Sequence, residues 1–192
     1  AHTAALETVP YQTGDTRASG PVTQEAELPG GPLNHHWTKG LVASADGNQL
    51  YVSVGSNSNV AEHGMQHEQG RAAIWRFDRS TGTGRVFAGG LRNPVGMAWQ
   101  GDVLWTSVNE RDELGSDLVP DYMTSVREGG FYGWPYSYHG QNVDTRLDPR
   151  RPDLVATALK PDFALGNHTS SLGLSSAQGN NLGGPFAGSG MF

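Results

Sequence analysis

The chain has 192 residues, with 27 glycines, 5 Trp, 6 Tyr and 6 Phe, and hydrophobic residues make up 36%. That length suits one domain or part of a larger one, and many turns with many aromatics favour an all-β protein over a helical one. The net charge of −6 without a basic cluster argues against nucleic acid as a partner, no apolar run approaches membrane-spanning length, and the lack of cysteine excludes disulfides and thiolate metal sites.

Residues 1–34 are irregular. Pro10, Pro21, Pro29 and Pro32 with Gly14, Gly20, Gly30 and Gly31 break any helix, and Val22-Thr23-Gln24-Glu25-Ala26-Glu27-Leu28 reads as an edge strand. Asn34-His35-His36-Trp37-Thr38-Lys39 forms a polar, aromatic tip. The pattern then becomes regular. Residues 41–47 predict a strand ending in a turn, and residues 49–55 its hairpin partner. A polar loop over 56–70 leads to a third strand at 71–78, and a fourth follows at 85–88. Four short antiparallel strands in this space make one blade of a β-propeller.

The unit recurs. Leu41-Val42-Ala43-Ser44-Ala45-Asp46-Gly47 aligns with Val95-Gly96-Met97-Ala98-Trp99-Gln100-Gly101, an offset of 54 (95 − 41). Leu50-Tyr51-Val52-Ser53-Val54 aligns with Leu104-Trp105-Thr106-Ser107-Val108 at the same offset, 104 − 50. A third copy begins at Gly173, 78 positions after the second (173 − 95), so an insertion intervenes. The chain therefore divides into an irregular remnant (1–34), a first clear blade (35–90), a second blade with an insertion (91–170) and the start of a third (171–192). A propeller closes to remove its edges. About three blades predict a fragment of a longer protein, or a chain that self-associates through open sheet edges. With no initiator Met before Ala1 the chain reads as processed or truncated, so the lack of a signal peptide decides nothing about compartment.

Between two strands lies Gly90-Leu91-Arg92-Asn93-Pro94-Val95-Gly96. Glycines and proline mark a tight, stiff connection, yet it carries a guanidinium and a carboxamide side by side. Such a pair suits an anion or a polarised carbonyl. A turn whose Arg faces water fits the same residues.

The tip at 34–39, Val54-Gly55-Ser56-Asn57-Ser58-Asn59, the Arg92-Asn93 connection, Asn109-Glu110-Arg111-Asp112-Glu113 and Tyr132-Gly133-Trp134-Pro135 occur in this order. Together they resemble the soluble sugar dehydrogenases that depend on pyrroloquinoline quinone (PQQ), of the glucose and aldose type, most nearly the L-sorbosone dehydrogenase branch. The resemblance runs from about Ala26 onward. It implies a six-bladed propeller, PQQ and Ca²⁺ as cofactors, a small sugar as substrate, an external electron acceptor, and a periplasmic or secreted location. It makes His36 the catalytic base, with His35 beside it in a cofactor-binding role or exchanged with it. It sets Arg92 and Asn93 against the quinone oxygens, where a fixed cation stabilises developing negative charge. It puts the Ca²⁺ on the Glu110-Arg111-Asp112 loop, in part through backbone carbonyls. Two departures stand out. Arg111-Asp112 replaces the Gly-Pro of the glucose-oxidising members, and Ser56 replaces the Asp that orients their base.

His63 and His67 have the i,i+4 spacing of a helical metal pair, but lie in a polar loop without a third ligand. Trp134 reads as a packing anchor flanked by glycines that permit a bend. A propeller fragment that binds a ligand or partner without turnover is the rival reading. A Ca²⁺-dependent lactonase propeller would need an ordered ring of carboxylates, which the sequence does not present.

Overall fold

The computed structural model describes residues 4–179, 183–184 and 190–191. It is nearly all β. A hairpin of β1 (Ala5–Thr8) and β2 (Thr23–Glu27) opens the chain. The first large sheet takes β3 (Leu41–Ala43), β4 (Gln49–Val54), β5 (Ala73–Asp78) and β6 (Gly84–Gly89) in sequence order, all antiparallel. The second contains β7 (Asn93–Gln100), β8 (Val103–Asn109) and β9 (Pro120–Ser125). A short hairpin of β10 (Ser137–Tyr138) and β11 (Asn142–Val143) and one helical turn, α1 (Pro152–Val155), then precede β12 (Phe163–Asn167), which pairs with β9 to complete the second sheet. Each large sheet is a four-stranded meander, the topology of a propeller blade.

The strands follow the side-chain period of two. On the first sheet, Tyr51, Ile74 and Phe87 face the second sheet and meet Met97, Leu104, Val108 and Tyr122 in one core. Tyr51 sits edge-on to Phe87 at 5.1 Å and to Trp99 at 5.2 Å, so one phenol ring joins the two sheets. The other face, with Val52, Val54 and Phe77, packs on Leu6 and Leu28 from the N-terminal hairpin. Burying each of these large side chains contributes ~1.5–3 kcal/mol.

Three sequence expectations shift. The N-terminal stretch is not wholly irregular, because the expected edge strand finds a partner in β1. The stretch 90–96 is not all connection. Only Gly90-Leu91-Arg92 links the sheets, and β7 starts at Asn93. Pro94 is tolerated because β7 lies at the edge of its sheet. Residues 173–179, read as opening a third unit, carry only an isolated bridge, Ser176 to Met191, among the described residues. Residues 180–182, 185–189 and 192 lie outside the described residues, so the rest of that expectation does too.

The insertion after β9 returns to the first sheet. Gly129 N–H donates to Phe87 O at 2.7 Å, Tyr132 N–H to Gly89 O at 2.9 Å and Trp134 N–H to Gly90 O at 3.0 Å. Trp134 is buried against Ala61 and Ala72, the packing role the sequence predicts.

Candidate active site

The approach to β3, the ends of β4, β8 and β12, and the starts of β7 and β9 all lie on one rim of the two sheets, as the pairings Leu41 with Val52, Asn93 with Asn109 and Asn167 with Pro120 require. On that rim His35, His36, Arg92, Asn93, Glu110 and Asp112 line one pocket of about 380 Å³. Residues 56 positions apart (92 − 36) thus share one cavity because corresponding ends of successive sheets project the same way.

His36 is half-buried, and its Nδ1 lies 2.9 Å from the Ser56 carbonyl oxygen and 3.0 Å from the Ser56 hydroxyl. The hydroxyl already donates its proton to Ser58 O at 2.6 Å. Both Ser56 oxygens therefore accept, and Nδ1 must carry the proton. The lone pair is left on Nε2. Burial, and next the Arg92 guanidinium, push the His36 pKa down to about 3, so the ring is neutral near pH 7. His35 is exposed, with its ring edge-on to His36 at 4.7 Å, and its N–H donates to Asn57 Oδ1 at 3.2 Å.

Two residues that sequence reasoning passed over hold this arrangement. Arg71 is buried and donates through Nη1 to Pro29 O and Gly30 O, each at 2.8 Å, and through Nη2 to His36 O at 3.1 Å. Glu68, also buried, accepts from Asn57 N–H at 2.8 Å and from the Ser58 hydroxyl. At Gly55 a Cβ would fall 2.4 Å from Asn93 Oδ1 and 2.5 Å from His36 Cβ, so only glycine lets these two side chains approach.

Arg92 is 5% exposed. Nε donates to Asn59 O at 3.1 Å, Nη1 to Asn109 O at 3.3 Å and Glu110 O at 2.7 Å, and Nη2 to Asn59 Oδ1 at 3.0 Å. Four of its five N–H groups are thus engaged, and the last lies towards the Asp112 carboxylate, 3.6 Å from Nη2. Across the pocket His168 Nδ1 contacts the same carboxylate at 3.1 Å. Asp121 pins that wall, accepting from Glu110 N–H and Ser170 N–H, each at 2.8 Å.

The Glu110-Arg111-Asp112 loop does not fit the cation expected there. Arg111 points into the core at 0% exposure, its Nε 3.0 Å from Glu110 Oε2 and its Nη1 3.1 Å from Asp144 Oδ2. The Glu110 carbonyl accepts from Arg92 Nη1 at 2.7 Å, the Arg111 carbonyl from Val119 N–H at 3.4 Å and the Asp112 carbonyl from Arg146 Nη1 at 2.9 Å. Among the described residues no group of three or more His, Asp or Glu is placed to hold a metal ion, and His63 and His67 form none. The departure of Arg111 from Gly-Pro is thus structural: it converts the loop into part of a buried ion-pair network. A quinone suits the pocket better. The Asn93 carboxamide forms no side-chain hydrogen bond among the described residues, so its donor and acceptor capacity is left for a ligand in the pocket it lines.

The TrAA12-like family model matches residues 15–129. The chain is similar to the calcium structure of Trichoderma reesei Carbohydrate-Active Enzymes Family AA12, with a TM-score of 0.70 and 20% identity over 88% of this chain and 52% of that one. It is similar to the holo form of the pyranose dehydrogenase PQQ domain from Coprinopsis cinerea, with a TM-score of 0.74 and 20% identity over 93% and 54% of the two chains. The soluble aldose sugar dehydrogenase of Escherichia coli, in its apo form, gives a TM-score of 0.51 and 22% identity over 73% and 43%. No curated protein sequence matches. The chain spans about half the length of these structures. The shared fold is a β-propeller, of which this chain carries a part. Among the described residues no helix is long and apolar enough to cross a membrane.

Proposed function

The chain belongs to the TrAA12-like family, and from that membership we propose that it is the cofactor-binding part of a PQQ-dependent dehydrogenase oxidising a sugar or sugar-derived aldehyde, of the aldose or L-sorbosone type. The observation that carries this reading is the neutral His36, its lone pair on Nε2, sharing a pocket with Arg92 and Asn93. When bound, PQQ supplies an acceptor for two electrons. His36 would take the proton of the substrate hydroxyl at Nε2 as the C–H bond gives up its hydride, so one proton and one hydride, two electrons in all, leave the carbinol and a carbonyl remains. Asn93, whose carboxamide has no partner among the described residues, would hold a quinone oxygen, and the Arg92 guanidinium, held by its own partners, would place a fixed positive charge beside it. His35 lines the cofactor side of the pocket. An external electron acceptor and a periplasmic or secreted location accompany this activity.

The test is a PQQ titration followed by dye reduction with aldoses and L-sorbosone. PQQ binding with sugar-dependent dye reduction supports the reading. PQQ binding without turnover by any sugar favours the binding module instead, the rival that the half-length coverage brings forward. No PQQ binding sinks both. His36→Gln keeps cofactor affinity and lowers turnover, whereas Arg92→Ala weakens both. If His35→Gln abolishes activity and His36→Gln does not, the two histidines exchange roles.

A further inference from the structure

We infer that the rim of the second sheet is a socket built for the Arg92 guanidinium in place of a divalent cation, and that cofactor binding by this chain needs no Ca²⁺. The socket oxygens are specific atoms. Asn59 O and Oδ1, Asn109 O and Glu110 O surround one buried guanidinium, each within hydrogen-bond distance of it. The orientation of Asn59 is fixed independently, because its Nδ2 donates to Asp112 O at 3.3 Å while its Oδ1 also accepts from Asp112 N–H at 2.9 Å. With the Asp112 carboxylate 3.6 Å from Nη2, the site offers neutral oxygens plus one anionic group.

This is a donor set of the kind a hard cation takes: carbonyl and carboxylate oxygens, no nitrogen. The guanidinium fills it, and it cannot be deprotonated. Ca²⁺ wants six to eight oxygens at about 2.3–2.6 Å, which the planar group in their midst denies. The positive charge facing the ligand is then covalently attached and cannot be chelated away. The socket stands on this chain's own oxygens, while its consequence for the cofactor rests on the dehydrogenase reading.

Calorimetric titration of the EDTA-treated full chain with CaCl₂ tests it. The wild type is expected to show no saturable binding and no calcium-dependent change in Tm. Arg92→Ala removes the guanidinium from among these oxygens and is expected to gain a calcium site. Its Tm then rises by ~5–10 °C at about a hundredfold excess over Kd. The added Asp112→Asn change abolishes the gain. A wild type that binds one Ca²⁺, lost in Asp112→Asn, overturns the inference. So does an Arg92→Ala chain that folds yet ignores calcium. If Arg92→Ala does not fold, titration of the wild type and Asp112→Asn decides alone. PQQ titrated in EDTA and in CaCl₂ separates the two readings. Equal affinity supports the socket, and binding only with calcium overturns it. Failure to bind in either buffer refutes the dehydrogenase reading and leaves the calcium titrations to judge the socket.

Discussion

Arg71 Nη2 donates to the His36 carbonyl oxygen at 3.1 Å, so a residue 35 positions later in the chain (71 − 36) holds the backbone that carries the candidate base. The same guanidinium grips Pro29 O and Gly30 O, and thereby stitches the N-terminal segment to the first sheet. Arg71→Ala leaves these acceptors without their donor and should cost ~1–3 kcal/mol. Urea unfolding measures that loss. PQQ affinity should change less than turnover, because the cofactor side of the pocket is built from other residues. Equal losses in both would show that Arg71 acts on the whole pocket and not on His36.

The state of His36 gives a pH signature. Its pKa in the folded chain is pushed from 6.5 to about 3, by burial first and the Arg92 charge second. The unfolded chain therefore binds the proton more readily. Stability from keeping the ring neutral is fully present above pH 6.5 and is lost as pH falls towards 3, at up to ~1.4 kcal/mol per pH unit. Urea unfolding at pH 4.5 and 7.5 should show a smaller stability difference in His36→Gln than in the wild type. An unchanged difference would contradict a buried neutral imidazole. In turnover, the rate should show no acid limb near 6.5 from this residue.

His36→Gln itself should lower sugar oxidation by ~10²–10⁴-fold, the usual cost of removing a general base. Ser56→Ala should do less. It removes the hydroxyl acceptor but leaves the Ser56 carbonyl to keep the proton on Nδ1. A Ser56→Ala loss as large as that of His36→Gln, in steady-state dye reduction, would count against the carbonyl as the orienting group.

Gly55→Ala brings a methyl group to 2.4 Å from Asn93 Oδ1 and 2.5 Å from His36 Cβ. Overpacking of this kind typically costs ~1–3 kcal/mol. The displaced groups are the base and a cofactor contact, so both PQQ affinity and turnover should fall together. A variant that keeps full affinity and rate would show that these side chains can part without consequence.

Arg111→Met strands the Glu110 and Asp144 carboxylates, both at 0% side-chain exposure, beside an apolar group. Removing one partner from a buried ion pair costs ~3–5 kcal/mol. Thermal or urea unfolding reads the loss. A near-neutral result would mean that Arg146, 2.7 Å from Asp144, carries the network without Arg111.

Much of the fold could be read from the sequence, because the apolar runs of β3 and β4 recur as β7 and β8 at a fixed offset of 54 (95 − 41). The β1 strand was hidden because it is four residues long and its partner lies beyond a run of glycines and prolines. The start of β7 at Asn93 was masked by Pro94, whose turn signal is strong locally and overruled by an edge position. At the site, His36, Arg92 and Asn93 were visible through ordered motifs. Glu68 and Arg71 were not, since nothing in a polar loop announces which distant carbonyls it will hold. Arg111 was misjudged for a related reason. A charged loop reads the same in sequence whether water or a second charged residue satisfies it, and only the placement of Asp144 tells them apart.

Tyr51, edge-on to both Phe87 and Trp99, sits in the seam between the two sheets. His36 belongs to the rim of one sheet and Arg92 to the link into the next, so the gap between proton acceptor and cation depends on this seam together with loop contacts such as Ser56 N–H to Arg92 O at 2.7 Å. Exposed rim side chains that make neither kind of contact can be exchanged for others while the spacing stays constant. Such a scaffold can change substrates by surface replacement, with a buried ring as its unchanging ruler.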